Sequence, residues 1–326
     1  MKIGRASWLT DTGRKRLRNE DAHVFEPPLF AIADGMGGAR AGEVAAGLAA
    51  AALRDGGRGV ADEAGLEAII DDANHRVWER SVADPETAGM GTTVTVAVVD
   101  PASDRVLFGH VGDSRAYRLR AGTLEQITTD HSLVAELVES GVLTPEEAAR
   151  HPQRSAITRA VGTERAIEAD VFSVPAVPGD VFLLCSDGLT DMLLEEEIAS
   201  CIVDADADPE PAARALVAAA NAHGGEDNIT VVLFELVEGS EERAAQHEVP
   251  TVPTQAATPP LAPTDDMTPS GDGSEAAGRD DEEAEAASES SLRRHGAGPG
   301  GRAAALLLIL AVLALAALVV YWSLKR

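Results

Sequence analysis

The chain contains little cysteine and few basic residues, and both shortages narrow its possible functions. Only two of its 326 residues are cysteines, Cys185 and Cys201, and neither has the spacing of a metal ligand or a redox pair. We therefore expect a reducing compartment and no disulfide framework. The 27 basic residues are outnumbered by 54 acidic ones, which gives a formal net charge of −27 at pH 7. Because nucleic-acid recognition needs a basic surface, we exclude nucleic acid as a partner.

Three common sequence signals are also missing. The N-terminal segment has no apolar run of roughly 7–15 residues, the core of a secretory signal peptide, so we expect no such signal. No GxxxxGK[ST] pattern occurs, which disfavours a P-loop nucleotide hydrolase. The turn after Asp34 lacks the second aspartate of a DxD signature, which disfavours a phosphotransferase with an aspartyl nucleophile.

Near the C-terminus lies one long apolar run. Residues 303–322 carry no charge, and as a helix they would span about 30 Å, the thickness of a bilayer core. Tyr321 and Trp322 stand where an aromatic belt would lie, and Arg302 precedes the run. We therefore expect a single transmembrane helix, with a buried core helix as the alternative.

Composition divides the chain into three segments. Residues 1–238 mix strand-like and helix-like patterns and make up the predicted folded domain. Residues 239–302 have few large apolar residues and contain 13 acidic and five basic ones, which leaves about −21 of the net charge for residues 1–238. A segment rich in Pro, Ala, Ser and acidic residues cannot bury enough apolar surface to fold, so we predict a disordered acidic linker. The third segment is the predicted transmembrane helix, 303–322.

The pattern of the first segment predicts an α+β fold. Residues 93–127 contain three strand-like runs with no helix between them, which predicts an antiparallel meander, whereas a parallel sheet would alternate strands with helices. Helices are then expected to pack outside the sheet. The strand-like runs are LFAIA, TVTVAVV, RVLFGHVG, RAYRLR, DVFLLC and NITVVLFEL, and the helix-like runs are 39–53, 66–81, 132–140 and 211–220.

Acidic residues stand where several of these strands begin or end. They are Asp34, Asp113, Asp187 and Asp227, with Glu20 and Asp21 nearer the N-terminus. Converging carboxylates repel one another and cannot all ionise unaided, and a hard divalent cation relieves that repulsion. All-oxygen ligation suits Mg²⁺ or Mn²⁺, and the carbonyl of Gly35 is a further candidate ligand. A single Asp-Gly is more often an ordinary turn, so the repetition of the pattern carries the prediction of a metal site.

The order of short motifs resembles the bacterial branch of the metal-dependent PP2C (PPM) serine/threonine phosphatases. The motifs that carry the resemblance are TDTGRKRLRNEDAH, ADGMGG, MGTTVTVAVV, GHVGDSRAYRL, TTDHSLV, ITRAVG, LLCSDGLTDML and GEDNITVVL, in that order. They cover residues 1–238 almost from end to end. The resemblance implies a four-layer α/β/β/α sandwich with two central antiparallel sheets.

The resemblance also implies a role for each candidate residue. Asp34 would bridge two metal ions, and the Gly35 carbonyl, Asp187 and Asp227 would be further ligands of these ions. Asp113 would be a ligand of a third ion, and Glu20 and Asp21 would lie near the metals, in part through water. Arg16 would bind the substrate phosphate. Residues 130–160 would form a mobile flap beside the site. Thr92 and Thr93 are expected to hydrogen-bond behind the metal ligands.

The implied activity is metal-dependent dephosphorylation of phosphoserine and phosphothreonine in proteins. A water bridging two Mn²⁺ or Mg²⁺ ions would attack phosphorus directly, so neither cysteine has a catalytic role. Some family members have a histidine two residues after the bridging aspartate as general acid, but Met36 stands there in this chain. The proton donor is therefore open, with a metal-bound water, His23 and His151 as candidates.

Partners and location follow from the resemblance and from the apolar run together. The expected substrates are phosphoproteins, among them Ser/Thr protein kinases that the enzyme would counteract and the targets of those kinases. The expected location is the cell membrane, with a single span and the catalytic domain in the cytoplasm. The alternative function is a membrane-tethered pseudophosphatase that binds phosphoproteins without turnover, but loss of a metal-site carboxylate would be its signature and none is missing.

Overall fold

Two antiparallel β-sheets form the centre of the folded domain. A computed structural model of the chain describes residues 1–37 and 41–239. The strands are β1 (Lys2–Asp11), β2 (Asp21–Glu26), β3 (Leu29–Met36), β4 (Gly91–Thr92), β5 (Val94–Asp100), β6 (Arg105–Val111), β7 (Arg115–Arg120), β8 (Thr123–Gln126), β9 (Asp170–Pro175), β10 (Val181–Cys185) and β11 (Ile229–Val237). The helices are α1 (Ala41–Gly56), α2 (Glu63–Ala83), α3 (Leu133–Glu139), α4 (Pro145–Ala148), α5 (Asp187–Thr190), α6 (Glu195–Asp204) and α7 (Pro209–Ala222).

The strands divide between the sheets in a way that brings distant parts of the chain together. The first sheet has the order β1-β11-β10-β7-β8, and the second has the order β2-β3-β5-β6-β9 with β4 paired to β3. All pairs are antiparallel. The central strands β3 and β10 are buried along their apolar runs, which explains why LFAIA and VFLLC do not alternate with polar residues.

Three separate apolar cores show that the described residues pack in four layers. Between the sheets, the rings of Phe30 and Phe234 stack with centroids 4.4 Å apart, and Phe182 lies 5.2 Å from Phe234. Outside the second sheet, α1 and α2 cover its other face. Outside the first sheet, α6 and α7 bury Ile198 and Leu216 against β10 and β11. The α/β/β/α arrangement expected from the resemblance is therefore present.

Small side chains let α1 lie close to the second sheet. The helix buries Ala45, Ala46, Ala49 and Ala52 on one face, together with Leu53. Alanine has the highest helix propensity and the smallest side chain beyond glycine, so this face both favours the helix and allows a short distance to the sheet. The N-terminus of α1 is thereby brought next to the end of β3, where Asp34 lies.

The sequence prediction was wrong on the meander. β5 and β6 pair with each other as predicted, but β7 leaves that sheet and pairs with β10 and β8 in the other one. The crossing occurs at Gly112, whose φ of +112° is a conformation that other residues rarely adopt. The turn that contains Asp113 therefore connects the two sheets instead of two strands of one sheet.

The predicted transmembrane helix lies outside the described residues, as does the linker from residue 240 onward. Within residues 1–37 and 41–239, no helix combines the length and the apolar character needed to cross a membrane. The span at 303–322 remains a prediction.

Candidate active site

One wall of the site comes from the hairpin β2–β3. Asp21 on β2 and Asp34 on β3 are direct partners in the antiparallel register, so their side chains project from the same face of the sheet. The next pair along the hairpin, Ala22 and Ala33, faces the other way. The two acidic residues thus stand side by side at the end of the hairpin, although 13 positions separate them in the sequence.

The other wall comes from the first sheet, where β10 and β11 are neighbours. Asp187 begins α5 just after β10, and Asp227 precedes β11. A Cβ atom at Gly188 would lie only 2.0 Å from the carbonyl oxygen of Asn228, so only glycine lets the start of α5 pack on this backbone. This close contact brings Asp187 next to Asp227. Gly188 is needed for the contact itself and not for its backbone conformation, because its φ is not positive.

Asp113 reaches the site from the turn that connects the sheets. Burial and, after it, the charge of Asp130 raise the pKa of Asp113 to about 6. Asp191, one turn after Asp187, also acts on the pKa of Asp113. Asp191 was not predicted as a site residue, because the second aspartate of SDGLTD resembles an ordinary polar residue of an exposed turn.

The carboxylates of both walls interact with one another. Burial raises the pKa of Asp34 well above its usual value, and the charges of Asp21 and Asp187 raise it further. Burial also raises the pKa of Asp187, with Asp113 and Asp227 as the next causes. The structure therefore brings Asp21, Asp34, Asp113, Asp187 and Asp227 into one electrostatically coupled group that spans the two sheets.

Asp21 has one satisfied and one unsatisfied oxygen. Its Oδ2 accepts hydrogen bonds from Ser186 Oγ at 3.0 Å and Thr230 Oγ1 at 2.6 Å. Its Oδ1 is buried with no N–H or O–H donor among the described residues, and its carboxyl group lies beside that of Asp34. Burial raises the pKa of Asp21 to about 6. A buried carboxylate oxygen without a donor, facing a second carboxyl group, suits a divalent cation.

Glu20 and Gly35 lie together at the N-terminus of α1. A Cβ atom at Gly42 would come within 2.6 Å of Glu20 Oε2 and 2.7 Å of the Gly35 carbonyl oxygen. A Cβ atom at Gly35 would lie 2.2 Å from the Gly42 carbonyl oxygen, so both glycines are needed for this contact. Burial raises the pKa of Glu20, and the nearby charge of Arg16 opposes that rise.

Arg16 is attached to the acidic group through Asp227. Its Nη2 lies 2.5 Å from Asp227 Oδ2, while about half of its side chain stays exposed. The loop that carries it, residues 12–20, is fastened by Asn228, whose Nδ2 donates to the carbonyl oxygens of Thr12 (3.0 Å) and Arg18 (2.8 Å). The Oδ1 atom of Asn228 accepts from Glu20 N at 2.8 Å. This anchoring role of Asn228 was not predicted from the sequence. The signal available for it was the position of the asparagine directly after Asp227.

The threonines of the MGTT motif support β3 from behind, as predicted. Thr92 Oγ1 donates to the carbonyl oxygen of Asp34 at 2.8 Å, and Thr93 Oγ1 accepts from the Asp34 N–H at 3.0 Å. Thr93 Oγ1 also shares a hydrogen bond of 2.7 Å with Ser114 Oγ, in the turn that carries Asp113. The backbones that position Asp34 and Asp113 are therefore joined by buried hydroxyl groups.

The flap contains α3 and α4, and one ion pair joins it to Asp191 beside the site. Arg154 Nη2 lies 3.3 Å from Asp191 Oδ2. The two ends of the flap are joined by a hydrogen bond of 2.8 Å from Thr158 N to the carbonyl oxygen of His131. These contacts place the flap beside the acidic group, where the sequence analysis expected it.

The candidate proton donors and the cysteines have different surroundings. The ring of His23 packs on Trp8 with centroids 4.0 Å apart, and burial together with Arg54 lowers its pKa. His151 Nδ1 accepts a hydrogen bond from Gln153 N within the flap. Cys185 is buried in the core and burial raises the pKa of its thiol to about 12, so it is not a nucleophile at neutral pH.

The side chains of the acidic group are not arranged as a complete coordination sphere. Across residues 1–37 and 41–239, no set of three or more His, Cys, Asp or Glu side chains is close enough together to hold a metal ion. The raised carboxyl pKa values and the unsatisfied Asp21 oxygen nevertheless fit cation binding. The assignment of Asp34, Gly35, Asp187, Asp227, Asp113, Glu20 and Asp21 as metal ligands and of Arg16 as phosphate-binding residue remains a prediction.

Comparison with known proteins decides the family. The profile of the family described as protein phosphatase 2C matches residues 13–224 of the chain. The chain belongs to the protein phosphatase 2C family. Its similarity to the serine/threonine phosphatase stp of Listeria monocytogenes is 40% identity over 242 residues, 71% of this chain and 95% of that protein. This member of the protein phosphatase 2C family is accordingly a protein serine/threonine phosphatase, and its substrates are phosphoproteins.

Solved structures of the protein phosphatase 2C family share the fold. The crystal structure of the serine/threonine phosphatase PstP/Ppp from Mycobacterium tuberculosis matches with a TM-score of 0.68 and 39% identity, over 72% of this chain and all of that one. The catalytic domain of PstP in complex with two manganese ions matches with a TM-score of 0.66 and 36% identity, over 72% of this chain and 99% of that one.

Proposed function

We propose that this protein phosphatase 2C hydrolyses phosphoserine and phosphothreonine by direct attack of water at a site that holds two divalent cations, Mn²⁺ or Mg²⁺. The observation that carries the proposal is the group of aspartates contributed by both sheets, with Arg16 next to it. The two manganese ions in the PstP structure support the same metal requirement.

Asp34, Asp187 and Asp227 would hold the cations, with Asp34 at the centre because it interacts with carboxylates from both sheets. Glu20, Asp21 and the Gly35 carbonyl would complete the surroundings, in part through water, and Asp113 would serve a third ion. When bound, such ions neutralise the carboxylates and supply a water of lowered pKa as nucleophile at neutral pH.

The chain's own residues then have separate tasks. The Arg16 guanidinium would bind the phosphoryl oxygens, a planar fork of donors that suits phosphate. Ser186 and Thr230 orient Asp21 by their hydrogen bonds to its Oδ2. The Thr92 and Thr93 hydroxyls hold the backbone of Asp34, so that its carboxylate stays aimed into the site.

Substrate class and location extend the same proposal. We infer that the substrates include Ser/Thr protein kinases and the proteins they phosphorylate, and that residues 303–322 anchor the enzyme in the cell membrane with its catalytic domain in the cytoplasm. The linker of roughly 60 residues would give the domain a reach on the order of 40 Å. Fractionation of cells that express the full chain and a variant without residues 303–322 tests the anchor.

A single experiment tests the mechanism. The full chain is assayed for phosphate release from a phosphothreonine peptide with Mn²⁺ and with EDTA, beside Asp187→Asn and the control Asp206→Asn. Asp206 is a suitable control because it lies on the α6–α7 loop with φ +53°, a conformation that asparagine also adopts. We expect activity to vanish with EDTA and with Asp187→Asn and to persist in the control. Activity that survives both the chelator and Asp187→Asn refutes the proposal.

A further inference from the structure

The loop that carries Arg16 has a charge opposite to that of the domain around it. Residues 14–18 read Arg-Lys-Arg-Leu-Arg, so four of the chain's 27 basic residues fall within five positions. All five side chains are exposed, and Leu17 is 99% exposed. We call residues 14–18 the basic arch. Because the domain carries a net charge of about −21, this cluster of positive charge reverses the sign of the local charge at the edge of the site.

The basic arch is held in place at both ends. Asn228 Nδ2 donates to the carbonyl oxygens of Thr12, just before the arch, and of Arg18, its last residue. Arg14 N donates to the Gly225 carbonyl oxygen at 2.7 Å. A Cβ atom at Gly13 would lie 2.2 Å from the carbonyl oxygen of Asp227, so the arch begins in direct contact with the backbone of a candidate metal ligand. Its position relative to the site is therefore fixed.

The cations of the basic arch differ in their partners. Arg16 pairs with Asp227, and Arg14 Nη1 has a long ion-pair contact of 3.5 Å with Asp11 and donates to the Gly13 carbonyl oxygen at 3.4 Å. Lys15 and Arg18 make no side-chain ion pair with any part of the chain that the structure describes. Two exposed cations next to a phosphate-binding residue are thus available to a ligand.

We propose that the basic arch recognises acidic residues that flank the phosphorylated serine or threonine of the substrate, through Lys15 and Arg18. The inference rests on the proposed function, since it assigns the neighbours of the phosphoryl group that Arg16 binds. The domain as a whole carries a net charge of about −21, so an acidic peptide approaches most favourably where positive charge is concentrated, and the arch provides such a place at the edge of the site. Contacts between exposed charges are modest and weaken with salt, which predicts a selectivity that disappears as ionic strength rises.

An anionic lipid surface is the competing partner for a basic loop with an exposed leucine. Two observations favour the peptide. The arch adjoins Asp227 and carries Arg16, so a membrane pressed against it would obstruct entry to the site. Leu17 is also the arch's sole apolar side chain, and one leucine contributes little membrane insertion compared with an amphipathic helix.

The test compares substrates as well as variants, with the full chain and Mn²⁺. The substrates are a phosphothreonine peptide flanked by Asp and Glu, the same peptide with Asn and Gln in their place, and p-nitrophenyl phosphate. The variants are Lys15→Glu/Arg18→Glu and the control Arg58→Glu/Arg214→Glu, which changes the net charge equally at exposed positions after α1 and on α7. Neither Lys15 nor Arg18 is placed in the catalytic machinery.

The arch variant is expected to lose about tenfold in kcat/KM on the acidic peptide at low salt, and less than twofold on the other two substrates. The loss should shrink at 0.5 M NaCl, where the Debye length falls to about 4 Å, and the control should match the unmodified chain. Fluorescence anisotropy with a labelled acidic phosphopeptide should show the same loss in binding, independently of turnover.

Other outcomes overturn the inference. Equal losses on all three substrates would make the arch part of the general catalytic machinery, and no loss would leave it without a role in recognition. Unchanged peptide selectivity, with loss of sedimentation on phosphatidylserine vesicles, would assign the arch to a membrane surface. Failure of the proposed function is separate from these results. It would appear as phosphate release that survives EDTA and Asp187→Asn, or as no release from any substrate, while anisotropy would still report binding of the acidic peptide through the arch.

Discussion

Replacing Gly188 by alanine should separate the two halves of the acidic group. The added Cβ atom would lie 2.0 Å from the Asn228 carbonyl oxygen, and 3.4 Å from the carbonyl carbon of Asp227. Real contacts of this kind are rarely shorter than about 3 Å, so the start of α5 and the Asp227–Asn228 backbone must move apart by roughly 1 Å. Functional groups need to be held within about 0.5 Å, so we expect weaker Mn²⁺ binding and a kcat lower by 10²-fold or so.

Glycine 47 provides the matched control. It lies on α1, and a Cβ atom there has no neighbour within 4 Å. Gly47→Ala should stabilise the fold by about 0.5–1 kcal/mol through helix propensity, whereas Gly188→Ala should destabilise it by about 1–3 kcal/mol through overpacking.

The assay for both variants combines isothermal titration with Mn²⁺, thermal unfolding and steady-state kinetics on a phosphothreonine peptide. For a domain of this size, the gain in Gly47→Ala corresponds to a rise in Tm of about 1–4 °C. If Gly188→Ala bound Mn²⁺ and turned over substrate like the unmodified chain, the idea that this contact sets the distance between Asp187 and Asp227 would be wrong.

Two further predictions concern the loop anchor and the carboxylates. Asn228→Ala removes three hydrogen bonds from a buried side chain, so it should lower the free energy of unfolding by about 2–4 kcal/mol, as measured by thermal unfolding. Because the loop that carries Arg16 is released, the substitution should also raise KM more than it lowers kcat. An unchanged KM would contradict this. Burial raises the pKa of Asp21 and of Asp113 to about 6, so in metal-free protein their contribution to stability is lost as pH rises from about 4 through 6. Cations bind the ionised forms, so the gap in Tm between Mn²⁺-loaded and EDTA-treated protein should widen from pH 5 to pH 7, and a gap that narrows would refute the role of these carboxylates.

Local patterns predicted most of the central strands and the acidic positions. The apolar runs of β3 and β10 are long and end at Asp34 and Asp187, so both the strand and its acidic terminus were visible. Strand β1 was missed because its sequence KIGRASWLTD has no clear alternation, and it becomes a strand by pairing with β11 from the other end of the domain. Such long-range pairing leaves no local signal.

The supporting residues of the site were harder to predict for the same reason. Asn228 acts on backbone atoms about 210 positions earlier, and Ser186 and Thr230 act on Asp21 across the two sheets. The crossing of the chain at Gly112 was also missed, because a glycine between two strand-like runs predicts a hairpin as readily as a change of sheet. In each of these cases the interacting residue is distant in the sequence, and only the folded structure shows which residue it is.

The division of the acidic group between two sheets has a consequence for regulation. Any cation shared by Asp34 and Asp187 would cross-link two layers that are otherwise joined mainly by apolar packing, which includes the rings of Phe30, Phe182 and Phe234. The affinity for the cation and the cohesion of the sandwich then depend on each other, so a change far from the site that loosens the layers is felt as a loss of metal. In this architecture, the concentration of the free ion and the stability of the packing between the sheets both shift the same equilibrium between the metal-bound and the metal-free protein.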